Sequence, residues 1–564
     1  MKNWLFFLLV CSISLAQDKY PKDYFGSPLD INLAIAGSFG ELRPNHFHSG
    51  IDFRTNQKEG FPVYATADGF ISRINVSNFG YGKCLYIDHP NGFTTVYAHL
   101  QMFSPAIDKY TRSNQYEQKS YTLELRPEAN VIPVKKGDLI GYSGNTGGSS
   151  GPHLHFEIRD TKSEFIINPY LFGYDKLVKD SKAPVISGLL VYSLGETGNV
   201  NGSAKPVTIP LTLEKDGTYL ASKITASGKI GFAINAHDIS DYNYGKNGIF
   251  KLSAYLNGMP YYGYEFDTFS FDETKHINCF IDYPRYKQTH QRFQKLFVCY
   301  LYPENIIKTM KNNGKIDVST NLTMNYKIVI QDFHGNQNTI NIPISYGLLP
   351  LKQPKDETQT PYFLKSQNEH SYAKDGISVF VPENTFYDDF YVKFDVKNNE
   401  LYFHDESVAM NNPVSITFDV SKMSSDEREK MFIGNIDGGR IEYNKTFKKD
   451  DAFSIKVKKL GRFLLAKDTI APKIYSPNFK EGEQIDSLKT LKISISDNLS
   501  GIGEYEAYLN GKWILMEYEN KLNRLTHYFT DDMYQDGRND FKIIVKDNLG
   551  NSSVFESYFL KTKS

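Results

Sequence analysis

Apolar and polar positions alternate with a period of two through Phe70-Ile71-Ser72-Arg73-Ile74 and again through Cys84-Leu85-Tyr86-Ile87. Turn-forming groups separate these runs: Asp68-Gly69, Asn78-Phe79-Gly80 and Pro90-Asn91-Gly92. A period of two sends successive side chains to opposite faces, so the pattern predicts an antiparallel meander of short strands over residues 61–100. The same character returns in Ile377-Ser378-Val379-Phe380-Val381, Val414-Ser415-Ile416-Thr417-Phe418 and Arg462-Phe463-Leu464-Leu465. Helical signals are few. A polar stretch from Ala106 to Gln118 reads as a helix, followed by a strand-like Tyr121-Thr122-Leu123-Glu124-Leu125, and a charged run near residue 425 reads as an exposed helix or loop. The fold class is mainly β.

The chain repeats itself. Asp180-Ser181-Lys182-Ala183-Pro184-Val185-Ile186 returns as Asp468-Thr469-Ile470-Ala471-Pro472-Lys473-Ile474, and Ala254-Tyr255-Leu256-Asn257-Gly258 recurs unchanged as Ala507-Tyr508-Leu509-Asn510-Gly511. Tyr326 to Asp332, with Gly335-Asn336, matches Phe541 to Asp547, with Gly550-Asn551. Residues 180–346 and 468–562 are therefore read as two copies of one β-module, the first enlarged by insertions. Short strands with Asx-Gly turns resemble immunoglobulin-like sandwiches. The Asp-x-x-Gly-Asn ending of each copy reads as the closure of a hairpin, with a calcium site as the second reading. Between the copies, residues 357–466 form a β-rich middle domain behind a Pro- and Lys-rich linker, Leu349 to Gln359. The predicted architecture is an antiparallel β-sheet domain over 17–176 followed by about three β-sandwich-like domains.

Composition changes this picture in two places. The chain has 564 residues with a net charge of −1, so no global field draws it to nucleic acid or anionic lipid. Its 39 Tyr and 39 Phe against 2 Trp suit strands. Residues 1–16 read as an export signal: Lys2, the apolar run Trp4 to Val10, and Ser14-Leu15-Ala16 as a small-x-small cleavage site. No later apolar stretch is long enough to span a bilayer, so no transmembrane segment is expected after cleavage. Cys84, Cys279 and Cys299 would remain, an odd number that argues against a full disulfide framework, and whether Cys279 pairs with Cys299 stays open.

The candidate chemistry converges from three segments. His48-Ser49-Gly50-Ile51-Asp52 offers an imidazole and a carboxylate four residues apart, Tyr97-Ala98-His99-Leu100 adds a histidine at a strand end, and Gly151-Pro152-His153-Leu154-His155-Phe156-Glu157 places two imidazoles on one side of a strand. Together they make a mixed nitrogen and oxygen set that suits zinc. His46 forms a second H-x-H with His48 but lacks the four-residue spacing to Asp52. No H-E-x-x-H helix is present. His237, His276, His290, His334, His370, His404 and His527 are scattered and read as surface or packing residues.

These segments, with Pro62-Val63-Tyr64-Ala65, Ala67-Asp68-Gly69 and Lys136-Gly137-Asp138-Leu139-Ile140-Gly141 in the same order, resemble the lysostaphin/LytM family of zinc-dependent peptidoglycan endopeptidases over roughly residues 35 to 175. The resemblance implies Zn2+ held by His48, Asp52 and His155, with a fourth position left for water or substrate. It also implies that His99 and His153 act on the water and the oxyanion. His153 is read as general base and His99 as the orienting or stabilising group, though the two roles can be exchanged. The implied function is an exported, periplasmic or envelope-associated zinc metalloendopeptidase that cuts peptide cross-links of peptidoglycan. Its β-modules would position it or bind an envelope partner. The alternative is a catalytically silent adaptor or scaffold that binds or activates another cell-wall hydrolase. Residues Gln101 to about Val131 are extra relative to shorter family members. They are expected near the cleft, as a flap or as surface decoration.

Overall fold

The computed structural model describes residues 19–241, 245–298, 300–319, 323–355, 358–530 and 533–563. The export signal read at residues 1–16, and Cys299 with its considered pairing, lie outside the described residues.

The alternating runs of the first 176 residues form short strands. In chain order these are β1 (Ile35–Gly37), β2 (Ile51–Arg54), β3 (Pro62–Tyr64), β4 (Gly69–Val76), β5 (Lys83–Asp88), β6 (Phe93–Leu100), β7 (Met102–Phe103), helix α1 (Pro105–Gln118), β8 (Leu123–Leu125), β9 (Leu139–Tyr142) and β10 (His153–Asp160). The main sheet runs β1-β2-β10-β6-β5-β4-β8, and β3, β9 and β7 pair in a small second sheet. The predicted meander is present as the antiparallel series β4, β5, β6. Sequence order did not place β10, which wedges between β2 and β6 at the centre of the sheet. Its apolar positions Leu154, Phe156 and Ile158 pack with Ile51, Phe53 and Tyr97 in one core. The period of two then sends His153, His155, Glu157 and Arg159 to the other face.

The insertion after His99 holds the expected helix and strand. Pro105 occupies the first turn of α1, where its missing N–H costs nothing, and Lys119 closes the helix in a left-handed conformation. Strand β8 covers the edge of β4, with Leu123 opposite Val76.

In the first repeat copy, β11 (Val185–Val200), β12 (Ile224–His237), β13 (Thr323–Gln331) and β14 (Gln337–Tyr346) belong to one twelve-stranded sheet. In the last copy, β15 (Lys473–Tyr475) and β16 (Thr490–Ser496) lie in one four-stranded sheet, and β17 (Gly537–Asp547) and β18 (Ser552–Lys561) lie in a second. The difference has a local cause. In the first copy β12 reaches far enough to pair in parallel with β14, Ile224 opposite Ile344, and joins what are two sheets in the last copy. The middle region places two five-stranded sheets around one core, including Ile377, Val379, Ile416, Phe418 and Phe463.

Cores are shared between regions. Phe39, Phe47 and Ile166 belong to the core of the first module, where the Phe47 ring lies 5.5 Å from Phe266 and 5.5 Å from Phe280. Strand Thr268–Phe269 of that module pairs with Ile166–Ile167 and so extends the first sheet. From the far end of the chain, Leu515 is buried in the core of the first domain, and Trp513 meets Tyr116 of α1 edge-on at 5.4 Å. Among the described residues no helix is long and apolar enough to cross a membrane.

Candidate metal centre

Pairing in the central strands brings the separated histidine segments together. Asp52 on β2 lies directly opposite His155 on β10, and Ala98, next to His99, is the partner of His155 on the other side. Gly50 permits this approach, because a Cβ there would strike the Phe156 carbonyl oxygen. Asp52 Oδ1 is 3.1 Å from His48 Nε2 and 2.8 Å from His155 Nδ1, and those two nitrogens are 3.0 Å apart. All three residues are buried.

The protons in this cluster are assigned by the outer bonds. His48 Nδ1 lies 2.7 Å from the Ser38 carbonyl oxygen, which can only accept, so Nδ1 carries the hydrogen. Burial holds His48 down to about 4, hence neutral, and its Nε2 is a lone pair. His155 Nε2 lies 2.8 Å from Glu157 Oε1 and donates to it, which leaves Nδ1 facing Asp52. Burial pushes His155 down, but the carboxylates of Asp52 and Glu157 outweigh it and raise the ring to about 9. A positive charge is therefore favoured between these three groups, as a proton or as a metal ion. With a metal ion in place of the inner proton of His155, two imidazole nitrogens and a carboxylate oxygen converging on one point would match the donor set of a zinc site with three protein ligands. The residues present fit that ion.

A second layer holds the triad. Arg43 Nη2 binds Asp52 Oδ2, so only Oδ1 faces the histidines. Glu157 is fully buried; it accepts from Arg159 Nε at 2.7 Å and from the Tyr81 hydroxyl at 2.5 Å. His153 and His99 flank the triad with ring centroids 4.9 Å apart. His153 Nδ1 donates to the Gly151 carbonyl at 2.8 Å, while its Nε2 is buried, 3.3 Å from Asp52 Oδ1, and has no hydrogen-bond partner. His99 Nδ1 donates to the Thr146 carbonyl at 2.9 Å. Burial, reinforced by His155 and His153, holds the His99 ring at about 3. Its backbone φ of 59° turns the side chain out of the regular pleat of β6, at the point where the register with β5 shifts.

All five residues singled out in the sequence, His48, Asp52, His99, His153 and His155, are thus neighbours. His46 is exposed and binds the Pro44 carbonyl instead. The outer residues were missed, although Glu157 and Arg159 carried a signal. They follow His155 at i+2 and i+4 and so share its face of the strand. Arg43 lies close before His48 in sequence, whereas Ser38 and Tyr81 carried no signal, because only tertiary packing brings them in.

A His-Asp-His cluster of this kind on an antiparallel sheet is a candidate metal centre. The profile of peptidase family M23 matches residues 46–116 and 129–169, and that of the Zu5-like domain matches residues 361–468. Over 112 residues the chain is 40% identical to the DD-carboxypeptidase/endopeptidase Mpg of Neisseria meningitidis, covering 20% of each chain. It is 28% identical over 142 residues to the peptidoglycan DD-endopeptidase ShyC of Vibrio cholerae, covering 24% of this chain and 27% of that one. The solved catalytic domain of lysostaphin from Staphylococcus simulans is 26% identical, covering 25% of this chain and 92% of that one, with a TM-score of 0.19. The chain spans about a fifth of the length of the first curated relatives it matches. Its N-terminal part is a peptidase family M23 domain of the LytM/lysostaphin type.

Proposed function

We propose that this protein is an exported zinc metalloendopeptidase that hydrolyses peptide cross-links of peptidoglycan in the cell envelope. The observation that carries the reading is the convergence of three metal-ligating atoms, His48 Nε2, Asp52 Oδ1 and His155 Nδ1, beside two further histidines, His99 and His153. Zinc held there by His48, Asp52 and His155 would polarise the scissile carbonyl and acidify water.

The chain's own residues supply the rest. His153 Nε2, buried and without a partner, is placed to take a proton from the attacking water. Its Nδ1–H is fixed on the Gly151 carbonyl, so Nε2 is the nitrogen that faces the cluster. As the water oxygen bonds to the carbonyl carbon and the C–N bond breaks, the same nitrogen returns the proton to the leaving amine. His99, whose Nδ1–H is fixed on the Thr146 carbonyl and whose ring is held neutral, offers Nε2 as an acceptor and is placed to orient the attacking water; exchange of the two labels is distinguishable by experiment. Arg43 keeps Asp52 to one donor oxygen, and Glu157 keeps His155 in the tautomer that offers Nδ1.

The names of the relatives from Neisseria and Vibrio support a D-alanyl cross-link as the bond cut. The two modules and the Zu5-like region are proposed to position the domain or to bind an envelope partner. Purified full-length protein incubated with sacculi should release fragments whose masses identify the bond. Stoichiometric zinc with no released fragment would sink the enzyme reading in favour of a silent adaptor.

A further inference from the structure

The two copies of the repeated module place three aspartates at the same strand ends. In the first copy, Asp180 lies five residues before Val185, the first residue of β11, and Asp238 follows His237, the last residue of β12 and the partner of Val185. In the last copy, Asp468 lies five residues before Lys473, the first residue of β15, and Asp497 follows Ser496, the last residue of β16 and the partner of Lys473. The third aspartate of each is the one in the Asp-x-x-Gly-Asn ending, Asp332 or Asp547.

The supporting bonds are repeated as well. Asn336 binds Asp332 Oδ1 through its backbone N–H at 2.9 Å, and Asp332 Oδ2 through its side chain at 2.7 Å; Asn551 does the same to Asp547 at 2.8 and 2.6 Å. The same side-chain amides donate to the carbonyls of Asp180 and Asp468, at 3.2 and 3.1 Å. Ligand atoms of Asp468, Asp497 and Asp547 lie within 4.8 Å of one another, as do those of Asp180, Asp332 and His334.

Internal bonds of this kind would be only a loop scaffold without a further fact. Asp238 is 6% exposed, yet its Oδ1 is buried with no hydrogen-bond partner. It faces a cavity of about 30 Å³ whose walls include Asp180, Asp332 and His334. In the last copy Asp497 Oδ1 is likewise buried and unpartnered, and so is the hydroxyl of Ser500, which is 2% exposed. Among the described residues no Lys or Arg pairs with any of the six aspartates. Carboxylates this close repel strongly when removed from water, and a bare buried carboxylate oxygen is costly.

We propose that each module binds one calcium ion, the first in the box of Asp180, Asp238 and Asp332, the last in that of Asp468, Asp497 and Asp547. Hard carboxylate oxygens without cysteine select a hard divalent cation, and an irregular oxygen set suits calcium. His334, read from the sequence as a surface or packing residue, lines the first box and fixes its Nε2 on the Val178 carbonyl at 2.8 Å. Its counterpart in the last copy is Leu549.

Both boxes lie at joints. The first cavity is also walled by Ser38, Asn168 and Tyr170 of the peptidase domain, and Ser38 carries the carbonyl that holds His48. The last box is tied to the middle domain, where the Asp468 N–H meets the Lys430 carbonyl at 2.9 Å and Lys430 Nζ meets the Leu549 carbonyl at 2.8 Å. Calcium at these places would fasten the peptidase domain to the first module and the middle domain to the last.

The test is titration of zinc-loaded, full-length protein with calcium chloride up to about 1 mM, followed by calorimetry and thermal unfolding. Two ions per chain are expected, one in Asp238→Asn, one in Asp497→Asn and none in the double variant. The unfolding midpoint should rise with calcium in the wild type and stay fixed in the double variant. Far-ultraviolet circular dichroism and a cooperative unfolding transition equal to those of the calcium-free wild type show that the variants fold. If Asp238→Asn does not fold, Asp332→Asn and the last-copy variant carry the same comparison. No calcium bound at 1 mM, or a stoichiometry that neither substitution changes, would overturn the proposal. A single ion removed only by Asp238→Asn would overturn the last-copy site and keep the first.

Discussion

His155 Nε2 and Glu157 Oε1 stand 2.8 Å apart on one face of β10, both buried, with Asp52 on the other side of the same imidazole at 2.8 Å. The ring is clamped between two carboxylates. One holds the hydrogen on the outer nitrogen, and the other faces the inner nitrogen.

Substitution by alanine should divide the five inner residues into two groups. His48→Ala, Asp52→Ala and His155→Ala each remove a donor atom and should lose bound zinc. His99→Ala and His153→Ala should keep zinc and lose about two to four orders of magnitude in turnover. Metal analysis beside a peptide-cleavage assay decides it. A zinc-free His153→Ala with a zinc-replete His155→Ala would reverse the assignment within the H-x-H pair.

Glu157→Gln keeps shape and removes charge. The amide cannot hold the Nε2 hydrogen of His155 as a carboxylate does, and zinc affinity should fall by about 10- to 100-fold. Competition with a chelator of known affinity measures this. Unchanged affinity would reduce Glu157 to a partner of Arg159.

The same residue sets a pH dependence. Burial pushes the Glu157 carboxyl up, but Arg159, His155 and Tyr81 outweigh it and bring it down to about 2 from an ordinary 4.5. A carboxyl with a depressed folded value contributes stability that is fully present above about 4.5 and is lost as the pH falls through 2. The difference in unfolding free energy between wild type and Glu157→Gln should be about 3 kcal/mol near neutrality and vanish toward pH 2. Denaturant titrations across that range, on metal-free protein, test the sign. A difference that grows in acid would be incompatible with it.

Ending the chain at residue 176 would remove the partners of Phe39, Phe47 and Ile166, which are at most 4% exposed. Each such side chain is worth about 1.5–3 kcal/mol when buried. The short chain should be markedly less stable or aggregate, whereas a chain ending near residue 346 should stay monomeric and bind zinc. Size-exclusion chromatography and unfolding midpoints compare the two.

Helix α1 of the insertion faces the last module. Glu517 lies 2.8 Å from Lys83 Nζ and 3.5 Å from Arg112, and Lys521 Nζ reaches the Asn145 carbonyl at 2.6 Å on the glycine-rich turn before β10. A cavity of about 750 Å³ opens between them, with Gln101, Tyr116, Tyr142 and Glu517 in its wall. Trimming Pro105 to Leu125 to a short turn should free the last module, enlarge the radius of gyration and alter the fragment profile from sacculi. A profile and radius unchanged by the trim would leave the insertion as decoration.

The residue spacing already contained much of the centre. His48-x-x-x-Asp52 and His153-x-His155 carry four of the five inner residues, and alternation alone puts His153, His155, Glu157 and Arg159 on one face. The repeats are likewise visible in the sequence, because turns and strand ends depend on local residue chemistry. Which member of the H-x-H pair meets Asp52 was fixed only by register: β10 pairs so that His155 stands opposite Asp52 and His153 opposite Arg54. Hydrogen bonds between strands far apart in the chain decide that, and spacing within one strand cannot encode it. The roles of Ser38 and Arg43, the burial of Phe47 in the first module's core, and the meeting of Asp180, Asp238 and Asp332 have the same origin. Each needs segments distant in sequence to be packed side by side, and that placement belongs to the tertiary structure alone.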